Sequence, residues 1–313
     1  MSSELPPEPL SASAARAHRP PLRSLLFVPG NKTTDWLPKA RAAGADAVVL
    51  DLEDAVPEAD RAAAVRQVTE ALTRRAADAS PAGPALFVRV RALDGWAAAE
   101  ELRTVCGPGL SGVLLPKVSG PDDVRLADRI LGWCEREHGL PQGQLALVPL
   151  LETAGALRDA YGCAAAATDR VAYLGAVTGA GGDVERAVGY RWSPEGHETH
   201  ALRARVLLDV RAAGAPHPVA GLWTRTGDLD GLRAFAEQNR ALGYTGMLAI
   251  HPSHVPVINE VFAPVADELA RAARLIAAME EAQARGVGAV AFEGEMVDEA
   301  MAATARALLN RHV

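Results

Sequence analysis

Eight short apolar runs rich in β-forming residues constrain this chain more than any other feature. They lie at 25–28, 47–52, 85–90, 112–118, 145–151, 171–176, 218–223 and 246–250. Between them stand segments such as 34–43, 58–75, 121–137, 195–213 and 229–241, rich in Ala, Leu, Arg and Glu with apolar residues every third or fourth position. That spacing predicts amphipathic helices. Strict alternation of strand and helix implies parallel strands, and eight near-continuous apolar strands fit an α/β fold of the closed (β/α)8 TIM-barrel type better than an open doubly wound sheet. About sixty residues follow the eighth run. They show helical spacing over 266–285, a β-like stretch at 289–292 and a last helix over 297–309, so the expected organisation is a disordered tail at 1–20, a barrel at 21–265 and a C-terminal helical lid extension at 266–313.

With 313 residues, 49% of them hydrophobic, the chain is large enough for one big core plus an appendage. Its formal charge of −7 is dispersed, with arginines interleaved among acids. No basic stripe marks a nucleic-acid partner. The three cysteines, Cys106, Cys134 and Cys163, form no closely spaced pair and read as ordinary thiols of a reducing compartment. No apolar stretch reaches the ~18 residues of a membrane span, so a cytoplasmic protein without a membrane partner is expected.

Barrel enzymes carry their chemistry at the carboxyl ends of the strands. In this chain those ends hold Lys32, Glu53 and Asp54, Arg89 and Arg91, Lys117, Glu152, Asp183 in a glycine-rich loop, and His251. Arg89 and Arg91 share one face of their strand, and burying both against helices would be costly, which favours the mouth. The alternative is a purely stabilising ion-pair rim, with Glu53, Asp54 and Glu152 as counter-charges. Glu152 and Asp183 come from neighbouring strand ends, about 4.8 Å apart, and two such carboxylates can share a magnesium ion at about 2.1 Å. His251 and His254 give only a weak zinc spacing and also fit a helix-capping turn. Lys117, in Leu-Leu-Pro-Lys-Val, would suit a Schiff-base aldolase if its amine were desolvated. The Gly179–Gly182 run has neither nucleotide-binding order.

Seven motifs stand in a specific order: Arg23-Ser-Leu-Leu-Phe27-Val-Pro-Gly30, Asp51-Leu-Glu53-Asp54-Ala-Val56, Val88-Arg89-Val90, Leu115-Pro-Lys117, Leu151-Glu152-Thr153-Ala154, Ile250-His251-Pro252 and Gly294-Glu-Met-Val-Asp298. In this the chain resembles the citrate lyase β-subunit-like (CitE-like) proteins of the HpcH/HpaI aldolase/citrate lyase superfamily from about Arg23 onward. The resemblance implies a magnesium-dependent lyase, with manganese as an alternative ion, that cleaves or forms malyl-, citramalyl- or citryl-CoA through an enolate. It also implies a homotrimer or hexamer. Carried over residue by residue, Glu152 and Asp183 are metal ligands, Arg89 stabilises the enolate with Glu53 beside it, and Phe27, Lys32, Ile250 and His251 contact substrate or coenzyme A. Asp298 is the acid on a lid that closes over a neighbouring subunit; its position also suits an N-terminal helix cap. Two departures stand out: Gly181-Gly182-Asp183 replaces the usual Gly-Ala-Glu-Asp, and Arg91 stands where asparagine is common. Other outcomes of such a site are a thioesterase or condensing enzyme, a CoA-independent pyruvate or oxaloacetate aldolase, or a non-catalytic acyl-CoA-binding subunit.

Overall fold

The computed structural model describes residues 19–78 and 83–310. By contact density the chain divides into two compact units, one ending at Phe262 and one beginning at Ala263. The expected tail lies outside the described residues as far as position 18. Arg19 is already fixed, its guanidinium donating to the carbonyl oxygens of Gly143, Gln144 and Asp169.

The first unit is an α/β fold around seven parallel strands in the order β5-β4-β3-β2-β1-β7-β6. They are β1 Ser24–Pro29, β2 Ala47–Asp51, β3 Ala85–Arg89, β4 Gly112–Leu115, β5 Ala146–Pro149, β6 Val219–Ala220 and β7 Gly246–Ala249. Two-residue periodicity sorts their side chains into two cores. Leu26, Val28, Val48, Leu50, Leu86, Val88, Val113 and Leu115 face the helices. Leu25, Ala47, Val49, Phe87, Leu114, Val148, Val219 and Leu248 meet in a separate inner cluster. That one cluster gathers residues from both edges of the sheet, which requires the sheet to curl.

The stretch 171–176, expected as the sixth strand, does not form a ladder. It makes single parallel bridges, Leu151 to Ala176 and Tyr173 to His217, while Ala172 and Tyr173 fill the inner cluster. Seven strands and a bridging segment therefore stand where eight strands were expected, and a fully laddered barrel is not formed. Glycines line this junction: a Cβ on Gly175 would lie 2.0 Å from the Val219 oxygen, and one on Gly221 2.4 Å from the Thr178 nitrogen. The two segments touch backbone to backbone here, a close approach that glycine permits.

The helices follow local signals. Pro121 opens the helix Pro121–Glu137, with Asp122 and Asp123 in its first turn and Arg136 in its last, each complementing the helix dipole. The helix Arg61–Ala77 buries Ala64, Val68, Ala71 and Leu72 along one stripe. Glu135, wholly buried, accepts both terminal nitrogens of Arg170 at 2.5 and 2.7 Å and the amides of Gly143 and Leu145. This carboxylate pins helix 121–137 to the start of β5.

In the second unit, helix Ala266–Ala284 is followed by an antiparallel hairpin, β8 Ala289–Phe292 with β9 Glu295–Asp298, and by helix Glu299–Asn310. Val297 and Asp298, expected as helix, are strand. The cause is Glu293-Gly294, with φ of 50° and 86°, the two positive angles that a tight hairpin needs. Ala272, Leu275, Met279, Val297, Ala302 and Ala305 form this unit's core.

Removing one partner of a buried, hydrogen-bonded ion pair costs roughly 3–5 kcal/mol because the other charge is left unpaired. Glu135→Ala is therefore expected to lower the midpoint of thermal unfolding by roughly 6 °C or more, read by calorimetry, whereas Glu58→Ala, on an exposed pair with Arg61, leaves it within about 2 °C.

Candidate active site

The inner-face alternation carries straight into polar residues at the strand ends. β2 continues Ala47, Val49 to Asp51, and β3 continues Phe87 to Arg89; register makes Asp51 and Arg89 direct neighbours. Arg89 Nε and Nη2 donate to the two Asp51 carboxylate oxygens, each at 2.7 Å. Asp51 is buried and also accepts the amides of Glu53 and Ala55. The guanidinium lies 5.0 Å from the centre of the Phe27 ring, a cation–π contact that fixes its plane.

The remaining Arg89 nitrogen, Nη1, is 2.9 Å from Glu53 Oε2 and 3.5 Å from Asp54. Lys117 completes the cluster: Nζ is 2.7 Å from Glu53 Oε1 and 3.1 Å from Asp54 Oδ1. Its backbone amide donates to Glu152 Oε2 at 3.1 Å. Glu152 is held in place by its neighbours. The Leu150 amide donates to the Leu115 carbonyl oxygen, and the Thr153 hydroxyl donates to the Val118 oxygen while accepting from the Ala156 amide as the cap of helix Ala154–Arg158.

Burial pushes the Glu152 carboxyl up to about 7, and the charges of Glu53 and Asp183 push the same way. Glu53 is also raised, burial outweighing the attraction of Arg89 and Lys117. Arg89 and Lys117 move upward in spite of burial, because their carboxylate partners favour the charged forms. Asp183 opens the short helix Asp183–Val188 and pairs with Arg186 one turn on. Glu185 braces this loop on both sides by accepting the amides of Gly181 and Trp192. Taken together, Asp51, Glu53, Asp54, Glu152 and Asp183 give five carboxylates against three cations, Arg89, Lys117 and Arg186. Fully ionised, the group is short of two positive charges.

The structure thus draws Phe27, Glu53, Arg89 and Glu152 into one cluster, with Asp183 coupled to Glu152 through its charge. Lys32, ending the turn Gly30–Lys32, and Ile250 and His251, just past β7, are exposed at the ends of the paired strands β1 and β7. Asp298 lies in the second unit, where its carboxylate accepts the Met301 amide at 3.2 Å as a helix cap.

Two expectations change. Lys117 has the opposite setting from a Schiff-base lysine: ion pairs hold its amine protonated. Arg91 parts from Arg89 and turns to buried Glu101 of helix Trp96–Val105, 3.3 Å away, which also binds Arg61 at 2.7 Å. At His251 and His254 the helix-capping turn is formed: helix His254–Val261 follows it, and His251 Nδ1 accepts the Ser253 amide and meets its hydroxyl. Sequence reading missed Asp51, although opposite charges ending adjacent strands are a signal for such a pair. Among the described residues, no group of three or more His, Cys, Asp and Glu side chains is arranged to hold a metal ion, so a cation here would rest on two carboxylates with water and substrate oxygens. No helix among these residues is long and apolar enough to cross a membrane.

Residues 23–252 match the family model HpcH/HpaI aldolase/citrate lyase. A citrate lyase subunit beta-like protein of Deinococcus radiodurans is 40% identical over 293 residues, covering 92% of this chain and 96% of the relative. A (3S)-malyl-CoA thioesterase of Cereibacter sphaeroides is 33% identical over 298 residues, 95% of each. Among solved structures, CitE from Mycobacterium tuberculosis in complex with magnesium, acetoacetate and coenzyme A is 28% identical, with a TM-score of 0.69, covering 94% of this chain and 98% of that one.

A carboxyl raised from its ordinary 4.5 to about 7 costs the fold nothing while protonated, and its penalty grows as pH rises through that window, reaching about 3 kcal/mol. Glu152→Gln removes the penalty. In metal-free protein the variant is expected to match the wild type in denaturant stability near pH 5 and to exceed it increasingly up to pH 8; a difference that stays flat with pH contradicts the assignment.

Proposed function

Because the chain belongs to the HpcH/HpaI aldolase/citrate lyase family, we propose that it is a carbon–carbon lyase that cleaves, or in reverse forms, a β-hydroxyacyl-CoA thioester such as malyl-, citramalyl- or citryl-CoA. The observation that carries the reading is Arg89, held at the mouth by Asp51 in two-point contact and standing beside Glu152. In this reading the curled sheet and its bridging segment act as a (β/α)8 barrel, with every strand end facing one opening.

The missing two positive charges fit a divalent ion. Glu152 and Asp183 would hold magnesium, or manganese in its place, and when bound it would polarise the oxygens of the keto-acid portion. The chain's own residues account for the remaining chemistry. In the cleavage direction the β-hydroxyl proton passes to a carboxylate of the cluster, its oxygen becomes the carbonyl of the released keto acid or aldehyde, and the electrons of the Cα–Cβ bond pass into the thioester. The resulting enolate oxygen meets Arg89, whose N–H groups not taken by Asp51 are already oriented. Burial of this cluster strengthens that contact.

Asp298 of a neighbouring subunit, carried on the unit beginning at Ala263, delivers a proton from its carboxylic acid form to the enolate carbon; in the free chain its side chain accepts the Met301 amide. Phe27, Lys32, Ile250 and His251 line the approach for coenzyme A. This arrangement requires a homo-oligomer, a trimer or hexamer, and light scattering after size exclusion should give that mass. A purely monomeric protein contradicts the shared site.

A second reading follows from the 33%-identical malyl-CoA thioesterase: the same residues stabilise the oxyanion formed when water attacks the thioester carbonyl. One assay separates the two. Purified protein with magnesium is supplied with malyl-CoA, citramalyl-CoA, methylmalyl-CoA and citryl-CoA, and keto acid and free thiol are followed in parallel. Lysis releases a keto acid without thiol, while hydrolysis releases thiol without it. Glu152→Ala is expected to abolish either activity, and Arg89→Lys, which loses the two-point geometry, to lower kcat by roughly 100- to 1000-fold. Full activity in Arg89→Lys sinks the assigned role.

A further inference from the structure

Lys117 has a backbone φ of 51°, one of two non-glycine residues with positive φ among the described residues. The left-handed region is disfavoured for a lysine, and such strain persists where surrounding structure demands it. Glycine would adopt the same turn freely, so a lysine here points to use of its side chain as well as of its amide direction. The surroundings supply both uses. The amide faces Glu152 Oε2 at 3.1 Å, and the ammonium stands between Glu53 Oε1 at 2.7 Å and Asp54 Oδ1 at 3.1 Å.

Those contacts join the Glu53–Asp54 side of the site to Glu152 through one residue. Glu53 and Asp54 are also the anions beside Arg89 Nη1. Glu53 Oε2, although 2.9 Å away, makes no aligned hydrogen bond with it. Without the ammonium, both carboxylates would turn their full charge on Arg89 and compete with any substrate oxygen for its N–H groups.

We infer that Lys117 is a positioning residue: its left-handed backbone aims the amide at Glu152 while its ammonium draws Glu53 and Asp54 aside, leaving Arg89 directed at the substrate oxygen. The inference rests on the proposed role of Arg89. It separates side chain from backbone, because Lys117→Gly deletes the ammonium and keeps the turn, whereas Lys117→Ala deletes the ammonium and keeps the strain.

The test compares wild type, Lys117→Gly, Lys117→Ala and Lys117→Arg by thermal unfolding, by titration with manganese, and by calorimetric binding of oxalate to the manganese-loaded protein. Oxalate carries anionic oxygens beside those it would give to the metal, as the thioester enolate would stand beside the bound keto acid, so it reads Arg89 without requiring turnover. Lys117→Gly is expected to melt at or above the wild-type temperature and to bind manganese within about threefold of wild type, since the amide to Glu152 remains. Its oxalate affinity should fall at least tenfold, with Lys117→Arg recovering part of the loss and Lys117→Ala melting lower. Where wild type turns over a CoA ester, kcat of Lys117→Gly falls with oxalate affinity while KM changes less. Unchanged oxalate binding in Lys117→Gly overturns the inference, as does a parallel loss of melting temperature, manganese and oxalate, which marks a lysine needed only for folding. If wild type cleaves none of the esters, the lyase reading fails while the oxalate comparison still decides the role of Lys117.

Discussion

The Asp51–Arg89 contact is the constraint around which the rest of this site is arranged. A guanidinium on the inner face of a curled sheet, otherwise lined by Leu25, Val49 and Phe87, is tolerable only if a buried anion meets it at bonding distance. Parallel register supplies that anion from the next strand. Once Asp51 takes two of the guanidinium nitrogens, the third must face the mouth, and Phe27 beneath the plane leaves little freedom to rotate. Glu53, Asp54, Lys117 and Glu152 then follow in sequence, each placed by the charge or amide of the one before.

That chain of dependence also explains the electrostatic imbalance. Each side is one positive charge short, but on the β2–β3 side Asp51, Glu53 and Asp54 are drawn into close ion pairs with Arg89 and Lys117. On the β5 side Glu152 accepts a backbone amide from Lys117 and has no ion pair among the described residues, and Asp183 pairs with Arg186. A carboxylic substrate and a divalent ion brought together would find opposite walls suited to each: the cationic edge of Arg89 for developing negative charge, the acidic edge for the metal. Such a division of polarity lets one small opening stabilise an enolate and a cation without their partners exchanging places.

Much of this was legible in the sequence because the governing period is short. Alternation along 47–51 and 85–89 puts Asp51 and Arg89 on a common face, and apolar runs announced all seven strands. What failed to announce itself was long-range or stereochemical. The run 171–176 is as apolar as its neighbours, yet it meets them through single bridges and not a ladder. Arg91 has the same parity as Arg89, but Glu101, ten residues further on a helix, captures it. Lys117 read as a nucleophile because its neighbours in sequence are apolar, whereas its neighbours in space are Glu53 and Asp54. Glu152 and Asp183 stood out as carboxylates at neighbouring strand ends, and their role as metal ligands belongs to the proposal; Asp298 keeps both of its readings, with the cap formed and the role as acid also part of the proposal.

The glycine contact between 171–178 and 219–221 has a mechanical consequence. Elsewhere around the sheet, adjacent strands are stitched by successive hydrogen bonds; along this line, single bridges and bare backbone contact do the joining. A curled sheet fastened firmly between most of its strands and loosely along one line opens there first, as a rolled sheet opens at its free edge. Asp183 hangs from the segment that forms one lip of that line, while Glu152 follows the firmly stitched β5. The two carboxylates stand on the same bank of that seam, but β5 and the segment that leads to Asp183 are themselves joined through the Leu151–Ala176 bridge, so a ligand held by both would fasten that junction.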